Sequence, residues 1–94
     1  FKYHINPEKK AVISLKSNLK IVDIERQLVE LYKKNTNILV LTDIDEISNL
    51  MYVVKYCNSF MRKPKLIITK EEKSFKSSIL RTLKEYKGKI EFKI

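Results

Sequence analysis

The residues best equipped for chemistry are two carboxylates one position apart, Asp43 and Asp45, in the run Thr42-Asp43-Ile44-Asp45-Glu46. They follow a continuous apolar stretch, Ile38-Leu39-Val40-Leu41. An Asp-x-Asp leaving a buried strand can hold magnesium through oxygen ligands, as in phosphoryl-transfer or nuclease sites. Such a site takes a further acidic residue from the end of another buried strand, or a glycine-rich phosphate loop. The chain supplies neither, having one glycine in its 94 residues. Helix capping explains the pair more simply, because a carboxylate there accepts a free N–H and meets the positive end of the helix dipole. No metal is assigned.

The other reactive groups lead the same way. Cys57 falls in the middle of a helical pattern on its apolar stripe, where a small core residue is expected rather than a nucleophile. As the single cysteine, it excludes an internal disulfide and a cysteine-based zinc site. His4 stands on the polar side of an alternating run, and Ser14, Ser48, Ser77 and Ser78 have no base partner in sight. No catalytic residue and no cofactor are expected, and the chain reads as non-enzymatic.

The stronger functional signal is charge. The net charge is +9, and the stretch from Arg62 onward carries +7 of it, with 11 basic residues against 4 acidic ones. Such a basic third fits an electrostatic partner: nucleic acid, an anionic surface or an acidic protein. A generally lysine-rich composition would give the same excess, since 17 of the 20 basic residues are Lys. Lys63, Lys65, Lys70, Lys73, Lys76, Arg81 and Lys84 are the candidate phosphate contacts. Lys70 and Lys73 would flank a helix start, whose free N–H groups suit phosphate.

The elements that position these residues follow from periodicity. Phe1, Tyr3 and Ile5 alternate with polar residues, and Pro7 starts a turn, so residues 1–5 and 11–15 read as a hairpin. Ser17 or Asn18 should cap a helix over 19–34 with Ile21, Ile24, Leu28, Leu31 and Tyr32 on one stripe. The runs 38–41 and 66–68 lack polar alternation, which predicts central strands covered on both faces. Between them Ile47, Leu50, Met51, Val54 and Cys57 mark a second helix capped by Asp43 or Asp45. Tyr52, Val53, Tyr56 and Phe60 widen its apolar arc enough for either deep burial or a partner surface. Ser74 should cap a third helix with Phe75, Ile79, Leu83 and Tyr86 inward and Gly88 as its stop. Ile90, Phe92 and Ile94 form a peripheral strand.

Strands alternating with helices predict an α/β fold, a compact strand-helix sandwich around a largely parallel sheet. Residues 1–94 suit a single domain, and the initial Phe suits a fragment or processed chain. Ligands in such sheets bind at the carboxyl ends of the strands. No apolar run approaches the roughly 18 residues of a membrane span, and a reduced, cytoplasmic setting is expected.

The central stretch also resembles the kink-turn RNA-binding family of ribosomal proteins, which includes the box C/D and H/ACA particle core proteins. There a buried strand ends in Asp-x-Asp, a helix carries a Cys, and a second strand ends in Ser-Lys or Thr-Lys. Asp43, Asp45, Cys57, Thr69 and Lys70 stand here in that order with similar spacing. The resemblance covers about half of the chain and implies RNA binding. The family's G-x-N-E-x-x-K motif corresponds to Val22-Asp23-Ile24-Glu25-Arg26-Gln27-Leu28, where Glu25 is retained. In element order the chain is also similar to the STAS type of regulatory domain, which implies a protein-interaction module. The leading expectation is therefore a small nucleic-acid-binding domain, RNA first, using the basic C-terminal third. The alternative is an interaction or regulatory module, in a protein complex or larger assembly, that uses Tyr52, Tyr56 and Phe60.

Overall fold

The computed structural model describes residues 8–93. Strands β1 (Lys10–Ser14), β2 (Ile38–Thr42), β3 (Lys65–Ile68) and β4 (Ile90–Phe92) alternate with helices α1 (Ile21–Lys33), α2 (Ile47–Asn58) and α3 (Ser77–Leu83). A 3-10 turn, Glu72–Ser74, precedes α3. The fold is α/β, and every strand pairing in its sheet is parallel, in the order β1-β2-β3-β4. The first half of the expected hairpin lies outside the described residues. Its second half is β1, which pairs parallel with β2.

This strand order decides where the core sits. Right-handed crossovers that advance the sheet in one direction place all connecting helices on the same side. Burial follows. Ile13, Leu39, Leu41, Leu66 and Ile68 are sealed from solvent and join the core side chains of α1, α2 and α3. Their strand neighbours Ile38, Val40 and Ile67 are half-buried, and Val12 is 60% exposed. The continuous apolar runs are thus central, as their pattern predicts, but helices cover one face rather than two. Apolarity without alternation could not distinguish those cases.

Each helix follows its apolar stripe but starts and stops differently from the sequence pattern. In α1, Ile24, Leu28 and Leu31 are buried, while Ile21 is 45% exposed. The residues flanking the helix starts are Lys20, Glu46 and Lys76, none with a side-chain capping bond. Ser17 does not cap α1, since it lies three residues before the N-cap position Lys20; its amide N–H donates instead to Asp45 Oδ2 at 3.3 Å. Ser74 instead closes the 3-10 turn, its hydroxyl donating to the Glu71 carbonyl at 2.6 Å. The third helix ends at Leu83, before Gly88, so glycine is not its stop.

Tyr86 explains that early ending. Its side chain turns into the core, and its hydroxyl donates to the Pro64 carbonyl, tying the segment before β4 to the entry of β3. Gly88 is needed beside it, since a Cβ there would lie 2.6 Å from the Tyr86 ring. Removing the hydroxyl in Tyr86→Phe should cost about 1–2 kcal/mol, read as a lower urea midpoint at unchanged slope. Gly88→Ala should cost about 1–3 kcal/mol through overpacking against the same ring. An unchanged midpoint in both variants would show that Tyr86 does not fasten the edge strand.

Candidate functional site

At the carboxyl ends of β1 and β2 the acidic pair has a role that capping does not describe. Asp43 adopts a left-handed backbone conformation, φ 51°, which bends the chain sharply as it leaves β2. The turn brings its carboxylate to the neighbouring strand end. Oδ2 accepts the Ser14 hydroxyl at 2.6 Å, with the Thr42 hydroxyl at 3.5 Å. Asp45 accepts the Ser17 amide, and its own amide donates to the Asp43 carbonyl at 2.8 Å. The two carboxylates therefore fasten the β1–α1 loop to the end of β2. Among the described residues no group of three or more His, Cys, Asp or Glu could hold a metal ion.

The expected phosphate contacts divide by position. Lys70, Lys73 and Lys76 lie on the connection from β3 to α3, and Arg81 and Lys84 continue along that helix to its end. Lys63 and Lys65 lie at the opposite end of the sheet. Lys63 donates to the Phe60 carbonyl at 2.7 Å, covering the exit of α2. Lys65 pairs with Glu91 on the uncovered face; by hydrogen bond and charge it holds that carboxyl below its usual range, with Lys93 adding to the effect. Lys73 pairs with Glu71 at 3.2 Å, and Lys70 Nζ lies 5.6 Å from the Phe75 ring centre.

What remains is an exposed, one-signed segment. Lys76, Arg81 and Lys84 are exposed and make no ion pair with a described residue. No carboxylate stands between Lys73 and Lys84. Ser77 and Ser78 are exposed beside them as hydroxyl donors. The grouping was visible as composition, but its separation from Lys63 and Lys65 depends on which sheet end each loop occupies.

The wide arc of α2 is largely used within the molecule. Val53 is fully buried, while Tyr52, Tyr56 and Phe60 are half-buried in a ring contact series. Tyr52 and Tyr56 are 5.8 Å apart, Tyr56 meets Phe60 edge-on at 5.5 Å, and Phe60 packs on Tyr32 of α1 at 4.3 Å. The Arg62 guanidinium sits 4.6 Å over the Tyr32 ring and donates to its carbonyl at 3.2 Å. The Tyr52 hydroxyl donates to Glu25 at 2.9 Å; desolvation first, then Glu25, raises its pKa. This series joins the outer surfaces of α1 and α2. Glu25, the retained position of the resemblance, is engaged in it.

Comparison with family models, curated proteins and solved structures returns no match to this chain.

Two measurements test these local assignments. At the left-handed position, Asp43→Asn should nearly preserve stability, whereas Asp43→Ala should cost about 1–2 kcal/mol from backbone strain and the lost Ser14 bond. Asp43→Gly should fall between them; equal midpoints for Ala and Asn would show that neither matters. Separately, burial pushes the Cys57 thiol up to about 12 from an ordinary value of 9.0. Folding thus favours the neutral thiol, and that stability is intact below the unfolded value. It is lost as pH rises from about 9 to about 12, because the unfolded chain ionises first. Cys57→Ala should flatten this alkaline decline. A decline of unchanged steepness would place its source elsewhere.

Proposed function

We propose that this chain is a small non-enzymatic nucleic-acid-binding domain, with RNA as its first ligand to test. The observation that supports this reading is the carboxylate-free, exposed segment carrying Lys76, Arg81 and Lys84. Lys70 and Lys73 stand on the connection before it, with Glu71 and Glu72 between them, and are secondary contacts in this reading. Cations arrayed along one element neutralise successive phosphates and release condensed counterions, which gives affinity without base reading. Lysine and arginine heads on long stems can follow a backbone of varied shape, so the contact requires no deep cleft. The resemblance in Asp43, Asp45, Cys57, Thr69 and Lys70 favours RNA within this class. Lys63 and Lys65 have local roles at the other end of the sheet and belong to the surrounding field.

The test separates this segment from net charge alone. The triple variant Lys76→Glu, Arg81→Glu, Lys84→Glu should bind labelled single-stranded RNA about tenfold or more weakly at low salt, as expected for several lost phosphate contacts. A second triple variant, Lys16→Glu, Lys33→Glu, Lys55→Glu, makes the same change in net charge at exposed sites elsewhere. It should retain most of the affinity. Equal losses in the two would reduce the segment to a share of the overall charge.

A further inference from the structure

Among the described residues the edge of the sheet at β4 is unpaired, and its backbone dictates what can occupy it. The Leu66 amide donates to the Lys89 carbonyl at 2.9 Å, and the Lys93 amide donates to the Ile68 carbonyl at 2.8 Å. In a parallel ladder the groups of alternate residues point to alternate sides. Lys89, Glu91 and Lys93 therefore face β3. Ile90 and Phe92 direct their N–H and C=O groups outward, and no described residue bonds them. An exposed row of this kind is a template for another strand.

A groove runs beside that row. Leu80 and Leu83 of α3, Tyr86, Gly88, Ile90 and Phe92 line about 350 Å³ of space between the helix and the strand edge. Ile90 and Phe92 are only half-buried there, so an apolar side chain on an added strand would complete their cover. Lys84 and Glu72 also line the groove, and exposed Lys87 and Lys89 flank its Gly88 in the chain. With a chain charge of +9, this rim favours carboxylates over a second copy.

We infer that the β4 edge captures an extended peptide in which an apolar side chain is flanked by carboxylates, adding it to the sheet as a fifth strand. Main-chain bonds to Ile90 and Phe92 supply the affinity, and the groove selects the side chain. This surface adjoins the exposed face of α3 assigned above to phosphate and shares Lys84 with it, whereas the outward backbone groups of Ile90 and Phe92 belong to the edge alone.

Amide hydrogen exchange measures the assignment directly, using a short acetylated peptide in which glutamate alternates with isoleucine. In the free protein the Ile90 and Phe92 amides should exchange openly while Glu91 and Lys93 are protected. Saturating peptide should protect Ile90 and Phe92, and the same peptide with N-methylated alternate amides should not. Ile90→Pro removes only an outward N–H from the backbone, a position that tolerates proline on an edge strand. It should abolish capture while Glu91 and Lys93 stay protected. Leu80→Ser, which leaves the edge intact, should weaken capture about tenfold. Absence of saturable binding, or binding that leaves Ile90 and Phe92 unprotected, would overturn the inference. So would protection that rises with protein concentration alone, which would mark a second copy as the occupant.

Discussion

The structure depends on one geometric constraint: strand side chains alternate in direction while the sheet advances one way by parallel crossovers. The alternation divides each strand into two sets of residues, and the crossovers send every helix to one of them. Ile13, Leu41 and Ile68 stand in register across three strands and are sealed by the helices. One residue away, Val12, Val40 and Ile67 stand in register on the other face and stay partly or largely exposed. A one-residue slip would exchange the two sets and remove the core. Fully burying each Leu or Ile contributes about 1.5–3 kcal/mol, so the register is strongly specified.

The same constraint places the polar groups. Loops leaving β2 and β3 emerge at the carboxyl end of the sheet. There Asp43 turns back on Ser14, and the connection from Lys70 leads to the cationic segment of α3. Loops entering the strands emerge at the opposite end, where Lys63 and Lys65 meet local partners. The basic C-terminal third is therefore two structural populations with different surroundings. Only the stretch from Lys76 through α3 to Lys84 carries exposed cations with no carboxylate among them, and that distinction motivates the functional proposal. The short β4 strand at the sheet's end leaves a different resource, a backbone row beside an apolar groove.

Much of the architecture was legible in the sequence, because each helix and strand carries its own period. Ile24, Leu28 and Leu31 marked α1, and the runs around Leu39 and Leu66 marked the central strands. The number of covered faces was not legible: an unbroken apolar run fits burial on one side or both. Helix starts were misread for a related reason. Ser17, Asp43 and Asp45 are good capping types, but each can also bond across to another element, and here contacts between residues 14–17 and 43–45 prevail. The candidate cations could be enumerated from composition. Their division between two ends of the sheet required the topology, and the outward groups of Ile90 and Phe92 required the ladder register.

The most direct test of the central claim is the salt dependence of single-stranded RNA binding by the unaltered chain. Three to five cations engaging phosphates predict that the logarithm of the association constant falls linearly with the logarithm of salt concentration, with a slope of roughly −2 to −3.5. A slope in that range would establish a phosphate footprint of the size the α3 segment presents. Binding absent at low salt, or unaffected by salt, would contradict the account and leave the positive charge without a nucleic-acid role.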